Sequence, residues 1–89
     1  MKAYITVLGS DRTGIIARVS MLLYEADVNI LDITQTILGG IFTMVMLVDL
    51  SGMRASFDEL SGQLGALARD MGLEIRMQRS EIFEAMHRV

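Results

Sequence analysis

The residue types best suited to chemistry in this chain sit together in Gly9-Ser10-Asp11-Arg12-Thr13-Gly14. Glycines at both ends leave backbone N–H groups approachable, and a helix that starts here turns its positive end toward the same spot. A carboxylate suits such a place. The plainer alternative is a tight turn with Asp11 capping the helix, and spacing leaves both open. Further along, Asn29 carries an amide that can bond a ligand's amino or carboxylate group, or can end a helix as a turn residue. His87 lies beyond the last strand and reads as an exposed tail residue rather than a base. No Gly-x-Ser-x-Gly elbow, His-Glu-x-x-His helix or Walker loop occurs. Binding groups are present; a catalytic set is not.

Composition narrows the classes further. With no cysteine and one histidine, a tetrahedral transition-metal site lacks ligands. The carboxylates that could hold a hard cation are not clustered. No metal or cofactor is expected. Eight basic against eleven acidic residues give a net charge of −3 without a basic run, which argues against nucleic acid. No apolar run of about 20 residues is present, so a membrane span is not expected. Met1–Gly9 reads as a strand that begins at once rather than as a signal peptide. Absence of cysteine is compatible with the cytoplasm, the expected location. At 89 residues the chain makes one domain, yet 52% of it is hydrophobic. That excess suggests burial against a second copy or a partner.

The elements that must position these groups follow from periodicity. Ala3–Leu8 is β-branched and aromatic and stops at Gly9, as a strand does. Ile15, Ile16, Val19, Leu22, Leu23 and Ala26 recur at helical steps, with Ser10, Asp11 or Thr13 as candidate N-caps. Ile30–Leu38 alternates as a half-buried strand, Leu31, Ile33 and Ile37 against Asp32, Thr34 and Thr36. Gln35 falls on the apolar side and calls for a partner, through an internal hydrogen bond or a subunit interface. Gly39-Gly40 marks a two-residue hairpin turn. Ile41–Leu50 is apolar on both faces. A second helix carries Phe57, Leu60, Leu64, Leu67, Ala68 and Met71, with Ser56 as cap and Gly72 after its end. Gly62 and Gly65 inside it suggest close packing on the sheet. Leu73, Ile75 and Met77 form the last strand, and Ser80–Met86 reads as a short extra helix.

The fold class is therefore α+β: a ferredoxin-like βαββαβ sandwich, a four-stranded antiparallel sheet with both helices on one face. The core spans 2–79, and a helical tail, 80–89, completes the single domain. Phe42, Met44, Met46 and Val48 are expected on the open face of the third strand, covered by the tail helix or by a second subunit.

Gly9-x-Asp11-Arg12-x-Gly14-Ile15-x-Ala17, followed by Val28-Asn29-Ile30, resembles the ACT domain, a regulatory module of amino-acid metabolism. Asn29–Thr36 and the Ile82–Met86 tail are similar to stand-alone members of that family. The resemblance implies a homodimer that binds an amino acid between the first loop of one copy and the second strand of the other. By position it assigns Asp11, Gly14 and Ile15 to the loop side and Asn29 and Ile30 to the strand side. Many members have proline where this chain has Thr13, a change that loosens the helix start. It further implies a non-enzymatic role, with a metabolic enzyme or regulator as partner. Two other readings stand beside it. One is a protein interaction module without a small ligand. The other is an acylphosphatase-like enzyme, since that fold holds phosphate with a basic residue near such a turn, where Arg12 stands.

Overall fold

Two strands of opposite sequence character organise the fold: one alternates cleanly, the other is apolar throughout. The computed structural model describes residues 1–81. Over them the chain runs β1 (Lys2–Ser10), α1 (Ile15–Glu25), β2 (Asn29–Leu38), β3 (Ile41–Asp49), α2 (Phe57–Met71) and β4 (Glu74–Arg79). The strands form one antiparallel sheet in the order β2-β3-β1-β4, the expected βαββαβ arrangement. The expected tail helix runs beyond the described residues, and His87 lies outside them.

The core forms between the central strands and the two helices. Ala3, Ile5 and Val7 of β1 join Met44, Met46 and Val48 of β3, all fully buried, under Val19 and Leu23 of α1 and Leu60 and Leu64 of α2. This corrects the expectation for β3. Phe42, Met44, Met46 and Val48 face the helices, and Ile41, Thr43, Val45 and Leu47 take the open face. With both sets apolar, alternation alone did not separate inside from outside. The register with β1 settles it, because Val48, Met46 and Met44 stand opposite Ala3, Ile5 and Val7. The open face is less apolar than expected, since Tyr4 and Thr6 stand opposite Leu47 and Val45 there.

Several local expectations shift for identifiable reasons. β1 does not stop at Gly9 but pairs on through Ser10, which lies opposite Ile41. A Cβ on Gly9 would sit 2.6 Å from Leu73 Cδ2, so glycine there lets the α2–β4 connection close onto the strand. None of Ser10, Asp11 and Thr13 caps α1. The cap is Gly14, in the left-handed region at φ 91°, without a side-chain hydrogen bond. The close-packing explanation for Gly62 and Gly65 fails: a Cβ at 62 meets nothing within 4 Å, and one at 65 meets only Arg69 Nη1 at 3.6 Å.

The cap on α2 is as expected and more complete. Ser56 Oγ accepts from the Glu59 N–H at 3.1 Å, and Glu59 Oε1 accepts from the Ser56 N–H at 3.4 Å, a reciprocal capping box. Ser56→Ala should lower the free energy of unfolding by about 1 kcal/mol, measured by urea titration, with no change in the slope of the transition.

Candidate functional site

The β1–α1 loop is pinned at two points. The Asp11 N–H donates to the Gly40 carbonyl at 2.8 Å, tying the loop to the β2–β3 hairpin. The Arg12 guanidinium donates through Nη1 to the Met71 carbonyl at 3.2 Å. That carbonyl lies at the negative end of α2, where a cation is favoured. Arg12 thus fastens the loop to the second helix, which gives it a structural employment in place of the phosphate contact considered above.

Between this loop and the edge of the sheet lies an open groove of about 230 Å³. Asp11, Gly14 and Ile15 line one wall; Gln35 and Ile37 of β2, with Phe42 of β3, line the other. The structure therefore brings together the three loop residues singled out from sequence. Gly14 places no side chain over the start of α1, and nothing lies within 4 Å of a Cβ built there. The first-turn amides of α1 have no partner within the helix. Asp11 supplies a carboxylate beside them. Amide donors at a helix start suit an anion and a carboxylate suits an ammonium, so the pair matches the two ends of a zwitterion. Gln35 is exposed on this wall, where water can solvate its amide, so the internal hydrogen bond weighed for it is not needed. Its place on an apolar face was visible in the sequence. That Ile37 and Phe42 join it required the cross-strand register.

Asn29 and Ile30 lie elsewhere. Asn29 opens β2 opposite Asp49, and it borders a separate depression with Tyr24, Asp27 and Arg54. The turn that ends α1 is made by Asp27, the one described non-glycine residue with positive φ, at 60°. Asn29 is thus already strand and exposed, free of the turn role. Arg54 and Asp27 form an ion pair at 3.0 Å beside it. Ile30 is half-buried opposite Val48. A ten-residue strand is about 30 Å long, and the two halves of the assigned site occupy its opposite ends.

β2 itself is the surprise of the region. It was expected to be half-buried, yet it forms a sheet edge that α1 covers only in part, at Ile30. Leu31, Ile33, Ile37 and Leu38 are 43, 42, 54 and 78% exposed. A bulge interrupts its ladder between Ile30 and Asp32.

The remaining polar chemistry is sparse. Among the described residues no polar or charged side chain is buried, and no three His, Cys, Asp or Glu residues cluster as metal ligands. No described helix is long and apolar enough to cross a membrane. Asp49 ends β3. The Ser51 hydroxyl, at 2.6 Å, and the Ser51 N–H, at 2.9 Å, both donate to its Oδ1 and hold its carboxyl below the usual value. The same hydroxyl accepts from the N-terminal amine at 3.3 Å.

The model of the ACT domain family matches residues 3–78. The chain belongs to the ACT domain family. A UPF0237 protein of Bifidobacterium longum is 50% identical over 88 residues, 99% of this chain and 98% of that one. Among solved structures, an ACT domain protein from Streptococcus pneumoniae superposes with a TM-score of 0.82 at 41% identity, covering 98% of both chains. A putative glycine cleavage system transcriptional repressor superposes with a TM-score of 0.78 at 31% identity, over 88% of this chain and 44% of that one. The family is a regulatory one, and these comparisons place this chain among its stand-alone members.

Two outcomes follow for this ACT domain. Arg12→Met should cost about 1–2 kcal/mol of stability, the range for a partly exposed hydrogen bond from a charged group, read from denaturant unfolding. Asp49 has a folded-state pKa below its unfolded one, so its contribution is complete above about pH 4 and is lost as pH falls through the folded value. Acid titration of Asp49→Asn should therefore show a shallower loss of stability below pH 4 than the wild-type chain.

Proposed function

We propose that this ACT domain is a non-catalytic regulator that works as a homodimer and binds a small amino-acid-like ligand between its copies. The observation that carries the reading is the placement of the site halves. Asp11, Gly14 and Ile15 stand at one end of the uncovered β2 edge, and Asn29 and Ile30 stand at the other. Antiparallel pairing of two β2 edges sets the start of one strand beside the end of the other. Each Asn29 then approaches the second copy's loop, and two equivalent sites form from halves that are apart in a single chain. The groove's apolar wall would receive a side chain, while Asp11, the first-turn amides of α1 and Asn29 would hold the amino and carboxylate groups. Exposed aliphatic residues along β2 would be buried by the same pairing, which favours association.

Regulation follows if the ligand prefers the paired form, because differential affinity shifts association with a metabolic enzyme or other regulator. A cytoplasmic setting fits a free amino acid as the signal. A second reading draws on the exposed apolar groups: Tyr24, 76% exposed, and Leu38 would serve an interaction module that holds a protein and needs no small ligand. The enzyme reading has no such support, since Arg12 is engaged by Met71.

Thermal unfolding against each of the twenty amino acids at millimolar concentration separates the two. A ligand that binds only the folded dimer should raise the melting temperature by several degrees. Asn29→Ala should remove that rise while leaving the unliganded melting temperature unchanged. If none of the twenty shifts the transition, the ligand-free module is the better description.

A further inference from the structure

We propose that residues 82–89, which follow the described part of the chain, dock on the open face of their own sheet, over Tyr4 and Leu47, as a third layer. The inference concerns the face opposite the helices. It depends neither on how two copies pair nor on a ligand.

Strand register lays out the open face in rows. The row nearest the end of β4 sets Gln78, Tyr4, Leu47 and Asp32 side by side, and the next has Thr6 beside Val45. The row at the hairpin holds Ile41 and Leu38. Both helices lie on the other side of the sheet, yet burial differs from one end of this face to the other. Near the hairpin Leu8, Ile41 and Leu38 are 40, 48 and 78% exposed. At the far end Tyr4, Val45 and Leu47 are half-buried. The cover that this difference calls for belongs at the end where β4 finishes.

The chain leaves β4 at that end. Arg79, the last residue of β4, stands opposite Ala3, and Ser80 and Glu81 are already helical, with no loop between. A helix starting there finds one side of the sheet occupied. The Arg79 guanidinium lies over the Phe57 ring of α2, 5.0 Å from its centre, on the side of the two helices. The open face is the side left.

The residues that follow carry a fitting pattern. Counted from Ile82, Phe83, Ala85, Met86 and Val89 fall at steps of one, three, four and seven, the spacing of an apolar helical stripe. Glu81, Glu84, His87 and Arg88 take the other side. So short a helix is marginal alone in water, and its stripe needs a surface. Ten residues, 80–89, make a helix about 15 Å long. Strands lie about 4.8 Å apart, so this length reaches from β4 across β1 to β3. Phe83 then comes over Tyr4, and Met86 over Leu47.

Charge separates this occupant from a second sheet. Two copies laid face to face would bury Glu74 and Arg76, an exposed ion pair at 2.8 Å, at a desolvation cost. A helix about 10 Å wide covers the middle of the first two rows and leaves that pair in water.

Nuclear Overhauser contacts in the 89-residue chain test this directly. The Phe83 ring and the Met86 methyl should show contacts to Tyr4, Val45 and Leu47, and none to Ile41. In a mixture of labelled and unlabelled chains these contacts should arise within one chain. Contacts found only between chains, contacts to α2 instead, or none at all overturn the proposal. Amide hydrogen exchange gives a second readout. The amides of 84–89 should exchange at least tenfold more slowly than in an unstructured peptide. Leu47→Asp should bring them to the unstructured rate while β1 and β3 stay protected, which shows the sheet intact. Phe83→Ser should do the same from the other partner, and it carries the test if Leu47→Asp fails to fold. Glu84→Gln, on the polar side, should change nothing. Protection of 84–89 that survives Phe83→Ser places the segment elsewhere and overturns the proposal.

Discussion

The ladder between β1 and β3, running from Lys2 opposite Asp49 to Ser10 opposite Ile41, is the constraint on which the rest of the molecule depends. It aligns Ala3, Ile5 and Val7 with Val48, Met46 and Met44, and so creates the one continuous apolar surface wide enough to receive both helices. Each helix lands there because its own stripe has nowhere else to go. α1 presents Ile15, Val19 and Leu23, and α2 presents Leu60, Leu64, Leu67 and Met71. The outer strands inherit what is left. β4 meets part of α2, and β2 beyond Ile30 is left with exposed apolar side chains. The uncovered edge is thus a consequence of the core and not a separate device.

The order of elements was legible in the sequence because each carries strong local signals. Alternation gave β2, the glycine pair gave the hairpin, and Ser56 with Gly72 bracketed α2. Three things were not legible, and each depends on distant parts of the chain. Which face of β3 is buried depends on its register with β1, since both faces are apolar. Which strands become edges depends on sheet order, and the pattern Leu31, Ile33, Ile37 reads the same for a covered strand as for an uncovered one. The cap on α1 depends on the Asp11 amide being held by Gly40, which leaves Gly14 to make the turn by its backbone alone. The candidate site was legible in part for the same reason. Asp11, Gly14 and Ile15 are neighbours in sequence, but Gln35 and Phe42 reach the groove only through strand pairing.

The chemistry of the groove follows from its place at the rim of the sheet. The polar side chains near it, Asp11, Arg12 and Gln35, are exposed. Arg12, the one cation in the loop, is committed to the Met71 carbonyl. What remains is a carboxylate, a set of amides and an apolar wall. Such a surface can hold a small molecule and let it go.

The hydrogen bond from the Asp11 amide to the Gly40 carbonyl has a consequence for how this chain can vary. It makes the groove's rim and the hairpin a single mechanical piece. Lengthening the hairpin by even one residue would carry the Gly40 carbonyl away and release the loop that Arg12 holds from its other side. Insertions are therefore better tolerated between β3 and α2, where Ser51–Ser56 runs over the surface. A two-residue turn held in this way is not free to grow.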